Sequence, residues 1–222
     1  MRAAGAAVAA AVITAVILLD VHLNAQLAAL GPLPAAAVLW AVFAAGAWLV
    51  LKTPARLAVP LVLLGGIAIQ LAALSAPPRA SDDLNRYIWD GRVQAAGIDP
   101  YRYVPAASQL TGLRDGFLWP AGGAHCVPVT AVRAAAQTGL SLAPGCTRIN
   151  LPTVHTIYPP VAEGYFAAVH LASARGSGSL PIQLAAALCA IATTLLLLAG
   201  LRSLGRDPRL AVLWAWCPAV GL

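Results

Sequence analysis

Two stretches of this chain, Leu57–Ala76 and Leu180–Leu201, run for 20 and 22 residues without a charged side chain. An α-helix needs about 20 apolar residues to cross the hydrocarbon core of a bilayer. Shorter or interrupted apolar runs occur at residues 3–19, 33–51, 159–173 and 210–222. The chain as a whole is 60% hydrophobic and 10% charged, where soluble domains carry about 25% charged residues. These features predict an all-α fold, a multi-pass transmembrane helical bundle with spans at 3–19, 33–51, 57–76, 159–173, 180–201 and 210–222. The N-terminal run reaches spanning length without a convincing cleavage site, so it reads as a span and not as a signal peptide. The last run stops without a polar flank, and the expectation is that the 222 residues belong to a longer membrane protein.

The net charge of +6 comes from scattered Arg. A nucleic-acid-binding surface would need clustered cations, so no nucleic-acid partner is expected. Arg2 and the loop holding Lys52 and Arg56 go to the cytoplasm by the positive-inside rule, which sends residues 77–158 to the outer face. If 159–173 crosses, the loop with Arg202, Arg206 and Arg209 lies outside, against the rule; if it dips and returns, that loop is cytoplasmic. We take the crossing, because C-terminal charges do not always decide orientation.

The outer loop opens with SDDLNRYIWDGRVQAAGIDPYRYVP, residues 81–105, which holds four of the chain's seven Asp. Ser81 can cap a helix from Asp82 to about Ala96, with Gly97 as its stop. Leu84, Ile88, Gly91 and Ala95 form an apolar stripe. Asp82, Arg86 and Asp90 form a polar one, as on an amphipathic helix lying along the membrane surface. Gly91 in mid-helix costs about 1 kcal/mol against Ala, which points to a close neighbour there. Asp99-Pro100-Tyr101 reads as a turn. Cys126 and Cys146 lie on the outer side, where disulfides form, and are expected to pair; Cys189 and Cys217 fall in apolar runs and read as free thiols. Four Cys without paired spacing give no zinc motif. No cofactor is expected, although Asp82 and Asp83 could support a divalent cation.

The cluster contains the parts for moving a sugar from a lipid phosphate to a hydroxyl. A carboxylate can act as general base, Arg86 and Arg92 can grip a phosphate, and Tyr87, Trp89, Tyr101 and Tyr103 offer flat faces to sugar rings or prenyl chains. The bland alternative is an i,i+4 Asp–Arg ladder on a solvated helix beside an interfacial aromatic belt. Glu163, the only Glu in the chain, sits one turn into the 159–173 segment.

The pattern Asp82-Asp83, Arg86-Tyr87, Trp89-Asp90-Gly91-Arg92, Gly97, Pro100-Tyr101 resembles the first outer loop of polyprenyl-phosphate-sugar-dependent glycosyltransferases of the GT-C superfamily, in particular the family 87-like and actinobacterial alpha-mannosyltransferase-like membrane proteins. A second block, Leu113-Arg114-Asp115, Arg148-Ile149-Asn150 and Thr156-Ile157-Tyr158-Pro159-Pro160, is also similar. The resemblance covers roughly residues 80–170. It implies a bacterial inner-membrane enzyme with its active face outside. A hexose, mannose by resemblance, would pass with inversion from a polyprenyl-phosphate donor to a glycan or glycolipid of the cell envelope. It implies Asp83 or Asp82 as the catalytic base, with Asp83 in the register Asp-x-x-Arg-Tyr. Substrate contacts would come from Arg86, Tyr87, Trp89, Asp90, Arg92, Tyr101, Arg148, His155 and Tyr158. A lipid carrier and a non-catalytic membrane scaffold are the competing classes.

Overall fold

The computed structural model describes residues 32–75, 82–122, 127–129, 143, 145–174 and 176–221, with isolated helical positions at 4, 7, 8, 11 and 15. The described chain is mostly helical and divides into two compact units, one formed by residues 1–78 and 184–222 and the other by Arg79–Gln183. Ser81, Cys126 and most of the 3–19 segment lie outside the described residues.

The first unit is built from α1 (Pro32–Lys52), α2 (Ala55–Ala73) and α5 (Leu180–Ser203, from Leu184 onward), followed by a 3-10 turn (Pro208–Ala211) and two short helices, α6 (Val212–Ala215) and α7 (Pro218–Gly221). Leu39, Phe43, Ala47 and Val50 of α1 and Ala58, Val62 and Ile69 of α2 share a core with Val212 and Trp216. The Gly65-Gly66 pair makes that core possible. A Cβ at Gly65 would lie 2.6 Å from the Trp216 indole nitrogen, which instead donates to the Val62 carbonyl at 3.1 Å.

Among the described residues two helices are long and apolar enough to cross a membrane, α2 and α5. The most apolar 18 residues of α5 have a mean hydropathy of 2.4, yet only 17% of them are buried. Leu188 and Leu196 are 65% and 72% exposed. A core helix of a soluble protein would hide such side chains; these face outward, as lipid-facing ones do.

The segment expected to span at 159–173 forms the 13-residue α4 (Pro160–Ala172). Its length of roughly 20 Å falls short of the 30 Å hydrocarbon core. The expected final span at 210–222 is likewise broken, into the turn and the short α6 and α7, at Asp207-Pro208 and Cys217-Pro218. Arg209 donates to the Thr53 carbonyl at 2.9 Å, which brings the Arg202–Arg209 loop beside the Lys52–Arg56 loop. The expectation that these two basic loops lie on opposite faces is therefore corrected: the first unit holds them together.

The second unit contains α3 (Asp83–Ala95), a 3-10 turn (Ser108–Leu113), an antiparallel ribbon of β1 (Val127–Val129) and β2 (Gly145–Thr147), and α4. Asp82 is the N-cap of α3, without a side-chain cap bond. At the other end Gly97 has φ +76, Ile98 N–H reaches the Val93 carbonyl and Gly97 N–H the Gln94 carbonyl. This is a Schellman stop, which glycine favours because φ is positive. Trp89 and Val93 enter a core with Val104, Leu110, Leu118, Trp119 and Ile149. Arg114 lies 3.7 Å from the centre of the Trp119 ring and donates to the carbonyls of Ala106 and Ala143, joining the loop to the ribbon side.

Helices α3 and α4 cross at Gly91. A Cβ there would overlap the Phe166 carbonyl and lie 3.2 Å from His170 Cβ. The close neighbour that the sequence called for is thus the α4 backbone. Gly91→Ala should destabilise the protein by about 1–3 kcal/mol through overpacking, in spite of alanine's better helix propensity. Gly164→Ala, on α4 with open space around it, should stabilise by up to about 1 kcal/mol. Thermal unfolding of the purified chain in detergent measures both.

Candidate functional site

The helix α3 presents three environments. Its outer end carries Asp82 and Asp83, its α4-facing stripe carries Arg86 and Asp90, and a third face carries Ile88 and Arg92.

Asp83, half-buried, accepts from Asn150 Nδ2 at 2.5 Å, while Asp82 is exposed. The Asn85 amide donates to the Arg148 carbonyl at 3.1 Å, so the 148–150 segment is fastened to the first turn of α3 at two points. Tyr87, one turn on, stacks on Phe166 at 4.5 Å and meets Tyr158 edge-on at 5.0 Å. Burial raises the pKa of the Tyr158 phenol, and the neighbouring Tyr87 and Asp83 raise it further. Tyr158 therefore stays protonated and able to donate beside Asp83. The Tyr101 hydroxyl donates to the Tyr158 carbonyl at 2.6 Å, and His155 Nδ1 lies 2.9 Å from the Tyr101 carbonyl. A carbonyl only accepts, so Nδ1 is the donor in this bond. Asp83, Tyr87 and Tyr158 thus meet at one end of α3, with the Tyr101 hydroxyl on the Tyr158 carbonyl and His155 on the Tyr101 carbonyl, while the Arg148 guanidinium rests 5.1 Å from the centre of the Phe117 ring.

The other expected site residues are placed elsewhere. Trp89 is 1% exposed and packs edge-on against Trp119 at 5.7 Å, as a core side chain. Arg86 and Asp90, read from the sequence as a solvated stripe, are 5% and 2% exposed. Arg86 Nε donates to both Asp90 oxygens at 3.1 Å, and Nη2 donates to the Val154 carbonyl at 3.0 Å. Arg92 pairs with Asp115 at 2.5 Å and donates to the Leu113 carbonyl at 3.1 Å. Cys146 is disulfide-bonded and Cys189 and Cys217 are free; the expected partner Cys126 lies outside the described residues. Among the described residues no group of three His, Cys, Asp or Glu side chains could hold a metal ion.

Glu163, absent from the expected set of site residues, completes the buried stripe. It is 2% exposed. Its carboxyl accepts from Thr156 Oγ1 at 2.9 Å and from Gln94 Nε2 at 2.8 Å, and it is in hydrogen-bond contact with Asp90. Two carboxylates can only accept, so such a bond requires a proton between them. Burial is the main cause that raises both groups; with the Asp90 charge beside it, Glu163 is pushed up to about 7. The Thr156 bond and Arg86 oppose this and do not prevail. Asn150 and Asp115, quoted in the second block of the resemblance, and Glu163, singled out as the chain's one Glu, were not among the expected site residues.

Comparison with protein-family models, curated proteins and solved structures finds no match for this chain.

The shared proton sets a pH dependence. Glu163 ionises near 4.5 when unfolded and near 7 when folded, so its contribution to stability is complete below pH 4.5 and lost as pH rises through 7. The loss should be about 3 kcal/mol. His170, lowered by burial and by Arg92, acts in the opposite direction below pH 6.5, so the difference between parent and Glu163→Gln is the quantity to read. Unfolding midpoints of the parent should fall relative to the variant between pH 4.5 and 7.5. Parallel curves would remove the shared proton.

Proposed function

We propose that this chain is a membrane glycosyltransferase moving a hexose from a polyprenyl-phosphate donor to a hydroxyl of a cell-envelope glycan or glycolipid. The observation that carries the reading is the meeting of Asp83, Tyr87 and Tyr158 at the end of α3. These residues come from both sequence blocks that resemble the GT-C enzymes. The apolar, outward-facing α5 supports a bilayer setting. With the Lys52–Arg56 and Arg202–Arg209 loops on one side of their unit, the positive-inside rule favours a cytoplasmic place for both.

In this mechanism Asp83, oriented by Asn150, removes the proton from the acceptor hydroxyl. The hydroxyl oxygen attacks the anomeric carbon from the face opposite the phosphate. The bond from that carbon to the phosphate oxygen breaks, the electron pair leaves with polyprenyl phosphate, and the configuration inverts. Tyr158 offers a hydrogen bond to the departing phosphate, and Arg148, once swung from the Phe117 ring where it rests, a charge, the stabilisation such a transfer requires. Arg86, held by Asp90 and Val154, positions α3 and does not touch substrate. A lipid carrier remains the second reading, because a buried carboxyl pair that holds a proton is also a part carriers use.

The test is transfer of labelled hexose from polyprenyl phosphate in membranes carrying the chain in its full reading frame. Asp83→Asn should lower the initial rate by about 100-fold or more, as loss of a general base does, and Asp82→Asn should stay within about twofold. The opposite ranking would make Asp82 the base. Movement of the lipid-linked sugar across the membrane without transfer would favour the carrier.

A further inference from the structure

We infer that a second ligand site, for an uncharged hexose unit, lies in the cavity between α3, α4 and the turn at 112–117. The cavity measures about 620 Å³, within the range of roughly 300–1,000 Å³ typical of small-molecule sites. Ile88, Phe117 and Val169 form apolar wall, and Arg92, Asp115 and His170 are its ionisable lining groups among the described residues.

Charge and hydrogen-bonding capacity together select the ligand class. Arg92 and Asp115 cancel each other across their 2.5 Å pair. His170, depressed by burial and by Arg92, is neutral at pH 7. The lining groups therefore carry no net charge, and Arg148, outside the lining, rests 5.1 Å from the centre of the Phe117 ring. Arg92 uses two of its five N–H groups, on Leu113 and Asp115. Neutral His170 brings one donor and one acceptor, and its ring has no hydrogen-bond partner among the described residues. Asp115 is an acceptor, held by the Leu118 N–H at 2.8 Å as well as by Arg92. An anion would call for donors alone and a cation for acceptors alone. Sugar hydroxyls both give and accept hydrogen bonds, and the C–H face of a pyranose fits a flat ring such as Phe117.

Arg92 lies nine residues after Asp83 on the same helix, about 14 Å along its axis. A sugar in the cavity is thus not the unit that reacts at Asp83. Its assignment as a remote unit of the acceptor rests on the function proposed above; binding itself does not.

The experiment is calorimetric titration of a neutral linear trihexoside into the purified full chain in a sugar-free detergent, with inorganic phosphate and a long-chain alcohol as separate competitors. Parent and Asp83→Asn should bind the trihexoside equally, and His170→Ala and Phe117→Leu should each weaken it tenfold or more while keeping the parent unfolding midpoint. No binding by the parent, binding unchanged in both cavity variants, or displacement by phosphate or by the alcohol would overturn the site. Binding that persists in a chain that transfers no sugar would sink the transferase reading and leave this site standing.

Discussion

The second unit depends on one guanidinium. Arg86 is buried and charged, and a buried charge needs partners of matching sign and geometry. It has them in Asp90 and the Val154 carbonyl. Glu163 then brings a second carboxyl to the same place, and two negative charges against one positive would leave the cluster unbalanced. Below about pH 7, where Glu163 keeps its proton, the cluster is neutral, while Thr156 and Gln94 bind the oxygens of Glu163. Three separate pieces of chain are fixed by these bonds: α3, the 154–156 segment and the first turn of α4.

That lock also places the candidate catalytic end. Asp83, Tyr87, Asp90 and Gln94 follow one another at spacings of four, three and four, so they share one face of α3. Once Asp90 and Gln94 are held against Glu163, the same rotation turns Tyr87 onto Phe166 and brings Asp83 to Asn150 and Tyr158. Asp82, one residue earlier and about 100° round the helix, is left outside this face. The choice between two adjacent carboxylates, open in the sequence, is argued by a contact made two turns away.

Much of the scaffold was legible before the structure. The extents of α1, α2 and α5 follow from uninterrupted apolar runs, and the stop of α3 follows from Gly97. The close approaches at Gly65 and Gly91 follow from glycines placed where a helix would rather have alanine. The orientation of α3 was not legible. Periodicity counts apolar side chains and assigned Leu84, Ile88, Gly91 and Ala95 to the buried side. In the fold Ala95 is exposed, and Arg86 and Asp90 are inside. The groups that make their burial possible lie 66 to 73 positions further along, at Val154, Thr156 and Glu163, beyond any local window. The final apolar run misled because its first residues close a 3-10 turn and its helix stops at Ala215, before Cys217-Pro218, where hydropathy alone continues.

The two units satisfy polar groups in different ways, and the difference bears on their surroundings. In the first unit the side chains Thr53, Gln70, Thr193, Thr194, Trp214 and Trp216 all donate to backbone carbonyls. Among apolar helices without water at hand, a carbonyl is the acceptor always within reach, and a back-bonded Thr hides its hydroxyl on its own helix. In the second unit carboxyls, guanidinium groups, amides and hydroxyls bind one another across elements, in networks whose geometry depends on their charge state. Such networks are costly to immerse in hydrocarbon, where every unmet partner is penalised. Among the described residues the apolar helices long enough to cross a membrane belong chiefly to the first unit, and the carboxyls concentrate in the second.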